Sequence, residues 1–233
     1  MTQTTSLSFF RYDRASDRAW AFVMMGITRY LLPRVPDIGF WKLCGSGKDE
    51  GFTPVLFPRV FAILAVWPDE DTARTRTAEH PVFRRYTRRA NEAMTVFLHT
   101  TSARGEWSGA QPFSAVSEPD HGPLAALTRA TVRPKVAPQF WGRVPRISDV
   151  IGNDPHVMFK IGIGEVPLLQ QVTFSIWPGA AEMAAFARQS GPHAEAIRAV
   201  RENGWFREEL YARFAVVGHA GTWEGRNPME PRR

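Results

Sequence analysis

The stretch Phe61-Ala-Ile-Leu-Ala-Val-Trp67-Pro68 returns, altered but recognisable, as Val172-Thr-Phe-Ser-Ile-Trp177-Pro178. Each block reads as a strand of aliphatic and aromatic residues ending on a Trp-Pro corner. An aromatic–lysine–aliphatic step precedes both blocks, Trp41-Lys42-Leu43 and Phe159-Lys160-Ile161. A long helix-like stretch follows both and leads to a Trp-x-Gly, Trp107-Ser108-Gly109 and Trp223-Glu224-Gly225. Self-similarity on this scale decides architecture before any single element does. It also supplies an internal control: where two copies of one scaffold differ, the difference is a candidate for function.

Working outward, the first copy predicts a strand at Ser6–Tyr12 and a helix over Asp17–Leu32. Ser16 or Asp17 is placed to cap that helix, and Trp20, Val23, Met24, Ile27 and Leu31 follow at helical spacing. Strands at Gly39–Gly47 and Val60–Trp67 come next. A helix then runs from Pro68-Asp69 to about Ala93 with a break at Pro81, before a strand at Met94–Thr101. The second copy repeats the order, with strands at Leu124–Arg133, His156–Gly164, Leu169–Trp177 and Tyr211–Val217. Its helices are Pro138–Ile151 and Gly179–Phe206, the latter interrupted at Gly191-Pro192. The Ser-, Gly- and Pro-rich residues 108–123 read as a linker between units 6–107 and 124–223, and 224–233 as a flexible tail.

Each unit is β-α-β-β-α-β, the ferredoxin-like arrangement. Helices cover one face of such a sheet, so the other must be buried elsewhere. Two tandem units meet this requirement by packing sheet against sheet. The expected fold is therefore α+β, a dimeric α+β barrel within one chain, with a ligand-sized space between the sheets.

Eight Trp and sixteen Phe among 233 residues, with 22% charged residues, describe a globular chain. The single cysteine, Cys44, excludes an intrachain disulfide and fits a reducing cytosol. No apolar run reaches the roughly 18 residues needed to span a bilayer, and Met1–Ser8 lacks a secretory pattern. The reading is cytoplasmic, with contact at the inner membrane surface left open. A net charge of +6 asks for an anionic partner. Arg84, Arg85, Arg88 and Arg89 concentrate that charge on one helix, opposite Val82, Phe83, Tyr86 and Ala90. This face is either solvated or a docking surface.

The zinc-protease, paired-CxxC, P-loop and dinucleotide templates are absent, and Gly45-Ser46-Gly47 reads as a turn. Of the histidines, His80, His121 and His156 lie in turn or linker settings, and His99 and His219 near strand ends. His193 differs. Anchoring the long helices on Trp67 and Trp177 sets His193 opposite Phe83, so an apolar position in one copy holds an imidazole in the other. A neutral imidazole is an iron ligand; the competing reading is an inert histidine at a helix start. Cys44 offers an alternative thiolate ligand or a small buried side chain. Lys42 and Lys160 occupy matching places in the repeat. Facing the space between the sheets, they could meet carboxylates such as haem propionates or polarise bound oxygen. Arg104, in Ser102-Ala103-Arg104-Gly105, is a further candidate for holding an anion or an oxygen species.

Four long runs carry a family resemblance: Gly39-Phe-Trp-Lys-Leu-Cys-Gly-Ser-Gly47, Thr101-Ser-Ala-Arg-Gly-Glu-Trp-Ser-Gly109, Met158-Phe-Lys-Ile-Gly-Ile-Gly-Glu165 and Gly204-Trp-Phe-Arg-Glu-Glu-Leu-Tyr-Ala-Arg-Phe214. Together with Leu124–Pro134 and Phe140-Trp-Gly-Arg-Val-Pro145, they resemble the spheroidene monooxygenase family of carotenoid biosynthesis. The likeness runs from about Leu7 to Val217. It implies oxygenation at C-2 of an acyclic carotenoid, using haem, O₂ and electrons from a ferredoxin-like donor. Two rounds at one carbon would give a geminal diol that loses water to a ketone. It assigns no axial ligand, so His193 rests on the repeat alone. A basic surface suits an acidic electron-transfer protein or an anionic membrane. Self-association into a homo-oligomer is compatible with the fold. The alternatives are a cofactor-free oxygenase on the same barrel and a non-catalytic carrier of a hydrophobic ligand. A nucleic-acid-binding module is disfavoured, because the aromatic RNP1 pattern is missing.

Overall fold

A computed structural model describes residues 1–47, 58–116, 122–141, 156–188 and 204–230. In chain order the elements are β1 (Thr4–Arg11), α1 (Ala15–Leu31), β2 (Phe40–Ser46), β3 (Val60–Trp67), α2 (Glu70–Glu79), α3 (Pro81–Arg89) and β4 (Glu92–Gly105). The second half has β5 (Leu124–Val132), α4 (Ala137–Trp141), β6 (Phe159–Val166), β7 (Gln170–Trp177), α5 (Ala180–Arg188) and β8 (Phe206–Gly221). The eight strands close into an antiparallel barrel in the order β1-β3-β2-β6-β7-β5-β8-β4. The α+β class and the barrel are thus observed.

The register shows which face each residue takes. Leu7, Phe9, Ala62, Leu64, Val96 and Leu98 point inward, as do Leu127, Phe159, Ile161, Phe174, Ile176 and Phe214. They fill the barrel. Phe9, Phe159, Phe174 and Trp223 stack with ring centroids 5.4–6.1 Å apart. The expected ligand-sized space between the sheets is therefore occupied by apolar side chains, Phe9, Phe159, Phe174 and Phe214 among them, which alternate inward along the strands. Cys44 lies in this core at 1% exposure. Burial pushes its thiol pKa well above the ordinary value, and the Glu165 carboxylate adds to the rise. It packs as a small apolar side chain of the core.

Outside the barrel, α1, α2 and α3 cover the first half's sheet. Ala21, Met24, Ala73, Val82, Phe83 and Tyr86 pack on Phe10, Tyr12, Phe61, Ile63, Trp67 and Phe97. The helix break expected at Pro81 falls between α2 and α3. Asp69 caps α2 by accepting from the Thr72 amide, and His80 caps α3 by accepting from that of Val82. Neither Ser16 nor Asp17 caps α1. The N-cap position is Arg14, and Asp17 instead receives the Arg89 guanidinium at 2.8 Å.

The α1 stripe read from spacing is also rolled. Ala21, Met24 and Thr28 are buried, whereas Val23 is 61% and Ile27 46% exposed. The cause is a polar anchor: Tyr86 Oη donates to Thr28 Oγ1 at 3.0 Å, fixing Thr28 against the sheet. β4 and β8 also run beyond the predicted strands, and Phe206, expected to end a helix, begins β8. The remainder of the predicted helices 138–151 and 179–206 lies partly outside the described residues.

Candidate functional site

The two Trp-Pro corners correspond in space. Trp67 and Trp177 both turn outward, and their indole N–H groups donate to Ser6 Oγ (2.8 Å) and Ser175 Oγ (3.0 Å). The lysine match does not hold in space. Lys42 sits opposite Leu64, which faces the interior, whereas Lys160 sits opposite Ser175, which faces out. A one-residue offset in a strand reverses the face, so the position paired as Lys160 is in β6 belongs to Trp41 in β2.

Lys42 belongs to a charged cluster at one end of the barrel. Its ammonium lies 3.2 Å from Glu165 and donates to Ser108 Oγ at 2.6 Å. Trp107 Nε1 donates to Glu165 Oε1 at 2.6 Å. Arg129, 1% exposed, pairs with Glu208 and lies 4.0 Å from Glu165. Glu208 also accepts from the amides of Ser108 (3.1 Å) and Gly109 (2.7 Å). Both residues have positive φ and form a nest for the carboxylate. The opposite end is built alike: Glu92 accepts from the Gly225 amide at 2.8 Å and pairs with Arg11 at 3.1 Å, while Arg11 lies over Trp223. Gly105 and Gly221 precede the two turns at positive φ, where a Cβ would strike the carbonyls of Glu209 and Ala93. This cluster was missed in the sequence, although an arginine at an inward strand position, in phase with Ala125 and Leu127, was its signal.

Burial pushes the Glu208 carboxyl up, but the Gly109 and Ser108 amides and the Arg129 guanidinium outweigh it, leaving the pKa below its ordinary 4.5. A carboxylate with a depressed folded pKa contributes stability above its unfolded value and loses it as pH falls through the folded one. Glu208→Gln is expected to lower Tm at neutral pH and to flatten the acid limb below about pH 4.5. Thermal melts across a pH series check this.

Lys160 faces the outer side of the second half's sheet, and there the halves diverge most. Register places Lys160, Ser175, Ala126, Arg213 and Ser102 in one row across five strands, and Gly162, Thr173, Thr128, Tyr211 and Arg104 in the next. Gln171 and Ala130 follow. The corresponding first-half rows are Trp41, Ala65, Ser6 and Phe97, then Leu43, Ile63, Ser8 and Thr95, then Phe61 and Phe10. Six bulky apolar positions, Trp41, Phe97, Leu43, Ile63, Phe61 and Phe10, thus become Lys160, Arg213, Gly162, Thr173, Gln171 and Ala130. The result is a floor of small residues with cations at its margins. At about 4.8 Å per strand, Lys160 and Arg213 are on the order of 14 Å apart. The Arg104 guanidinium lies 5.4 Å from the Tyr211 ring centroid, and Tyr211 Oη donates to Glu209 at 3.0 Å.

The structure therefore brings Lys160 and Arg104 onto one face and leaves Lys42 at the barrel end. His193 lies outside the described residues, as does His121. His99 stands on the first half's outer face, 3.2 Å from Thr4 Oγ1. Among the described residues no group of three or more His, Cys, Asp or Glu is placed to hold a metal. The floor nevertheless suits a flat prosthetic group: Gly162, Ala126, Ala130, Thr128 and Thr173 permit close approach, and Lys160 and Arg213 offer cations for its carboxylates.

No family model matches the chain. It is 51% identical to a spheroidene monooxygenase of Cereibacter sphaeroides, over 97% of this chain and 71% of that protein. It is 51% identical to one of Rhodobacter capsulatus, over 96% of this chain and 94% of that one. A third, of Rubrivivax gelatinosus, is 33% identical over 90% of this chain and 83% of its own length. Among solved structures, an aldoxime dehydratase in complex with butyraldoxime superposes with a TM-score of 0.66 at 8% identity. It covers 92% of this chain and 79% of its own, a likeness of fold alone.

Proposed function

The chain belongs to the spheroidene monooxygenase family, and on that premise we propose that it oxidises C-2 of an acyclic carotenoid to the ketone, as in spheroidene to spheroidenone. The observation that carries this reading is the outer face of β5–β8, where the bulky apolar residues of the first half give way to a small-residue floor between Lys160 and Arg213. That floor replaces the space once expected between the sheets. We further propose that the barrel combines two ferredoxin-like units, since each half runs in corresponding strand order around it.

In this reading a haem supplies the O₂ chemistry when bound, with electrons from a ferredoxin-like donor. Lys160 and Arg213 would hold its carboxylates, and His193 would ligate its iron. Support for His193 comes from its repeat counterpart: Phe83 packs on the outer face of the first sheet, its ring 6.0 Å from that of Trp67. Gly162, Ala126 and Ala130 keep the floor flat beneath the reacting chain end. Thr128, Thr173 and Tyr211 present hydroxyls on the same face, suited to hydrogen-bonding the oxygen as it is introduced. Arg104, stacked by Tyr211, extends the cationic margin. Arg84, Arg85 and Arg88, exposed on α3, form a basic surface suited to an acidic donor. No helix among the described residues is long and apolar enough to cross a membrane, and the proposed location is cytoplasmic.

The test combines spectrum and turnover. Freshly purified protein is expected to show a Soret band that is lost in His193→Ala, and to convert spheroidene to a ketone with reductant and O₂. Active but colourless protein would overturn the haem assignment. Bound carotenoid without product would make the chain a carrier.

A further inference from the structure

Met1 aside, every large apolar side chain left substantially exposed among the described residues lies on two elements. Phe22, Val23, Ile27 and Tyr30 line the outer side of α1, with Tyr30 71% exposed, and Val166 and Leu168 lie at the β6–β7 connection. The two elements adjoin. A cavity of about 350 Å³ is lined by Met25 and Arg29 from α1, by Phe40 and Trp41 of β2, and by Val166 and Gln170. The exposed apolar residues of α1 and those of the β6–β7 connection thus lie on either side of one recess. Scattered exposed apolar residues need no explanation; a contiguous set on one helix does.

The charges around the patch are of one sign. Arg29 and Arg34 are exposed and have no carboxylate partner among the described residues, and Arg34 Nη1 donates to the Tyr30 carbonyl at 3.3 Å. The nearby acids are already neutralised: Asp17 by Arg89, Asp37 by Arg76, Glu165 by Lys42. The helix is seventeen residues long, about 25 Å of straight surface. An apolar stripe with a tyrosine and a cationic margin is the pattern of a helix lying in a lipid interface. A second copy fits less well, because a two-fold contact through α1 would bring Arg29 and Arg34 of both copies to one interface and add like charge there.

We propose that α1 docks this protein on an anionic lipid bilayer, with Val23, Ile27 and Tyr30 at the headgroup–acyl boundary and Arg29 and Arg34 on lipid phosphates. The recess lies beside the helix, on the flank that carries Met25 and Arg29. The inference rests on the carotenoid reading for its purpose and on the patch alone for its geometry.

The test is co-sedimentation of the full chain with phosphatidylcholine vesicles, with and without phosphatidylglycerol. Binding is expected to require phosphatidylglycerol. It should fall about tenfold or more in Val23→Glu/Ile27→Glu and in the milder Val23→Ser/Ile27→Ser. Arg29→Gln/Arg34→Gln is expected to weaken binding and reduce its salt dependence. Binding indifferent to phosphatidylglycerol, or unchanged in both pairs of Val23/Ile27 variants, would overturn the proposal. So would a concentration-dependent oligomer that these variants dissolve, since the surface would then belong to a second copy. Turnover in detergent micelles separates the two readings. Variants that lose vesicles but still convert micellar carotenoid support docking. Wild-type protein that binds vesicles yet converts no carotenoid also supports docking, and defeats the enzymatic reading instead.

Discussion

Combining Gly162→Leu with Thr173→Ile is expected to reduce carotenoid conversion by about a hundredfold or more while leaving the protein folded. The two new side chains are those that the first half carries at the corresponding register positions, Leu43 and Ile63. Both suit a strand, and the barrel already accommodates them on one of its outer faces. What they remove is space. Gly162 and Thr173 sit opposite each other in the middle of the floor, and branched chains there would lift any flat group or polyene end away from the sheet. Displacement of about an ångström is enough to cost orders of magnitude in an oriented reaction. Product analysis by chromatography, with a thermal melt on the same sample, checks both halves of the expectation. Undiminished turnover would move the site elsewhere.

Arg129→Met is expected to give the largest loss of stability, about 3 kcal/mol. The guanidinium is 1% exposed and stands between Glu208 and Glu165, themselves 19% and 17% exposed. Removing it leaves two carboxylates facing each other at a barrel end with Lys42 as the remaining cation. The figure is set at the low end for a broken buried pair because both acids keep some contact with water. In a chain of this size that corresponds to a fall in Tm of roughly 6–12 °C. Adding Glu208→Gln to Arg129→Met is expected to recover part of the loss, since the uncompensated charge goes with it. A double-mutant cycle by denaturant melts isolates the coupling.

Much of the barrel was legible because the repeat is written in strands. Val60–Trp67 and its later image are strand-length runs that end on the same Trp-Pro corner, and each indole donates to a serine, Ser6 on the neighbouring β1 for Trp67 and Ser175 on the same strand for Trp177. The lysine correspondence was misleading because alternation has period two and both neighbours of Lys42 are apolar. Only the register, which places Lys42 beside Leu64 and Lys160 beside Ser175, separates the faces. The α1 stripe misled for a related reason. With apolar residues on both sides of the helix, spacing could not choose between them, and one Tyr86–Thr28 hydrogen bond did. Arg129 is marked in the sequence only by its phase with Ala125 and Leu127. The small-residue floor could not be read at all, since Gly, Ala and Thr gain meaning there only against the Trp, Leu and Phe of the other half.

The turns that bear Trp107 and Trp223 each grip a glutamate at the start of the other half's last strand, Glu208 and Glu92. Each end of the barrel is therefore fastened by a latch from one half and a catch from the other. A chain cut between β4 and β5 would leave both pieces holding a latch with nothing to fasten, beside sheet edges open to pairing. Such pieces could close only on each other or on copies of themselves, at a rate and strength set by concentration. The covalent connection removes that dependence by supplying the second half at a fixed, high effective concentration. The intact chain is accordingly expected to melt as one cooperative unit.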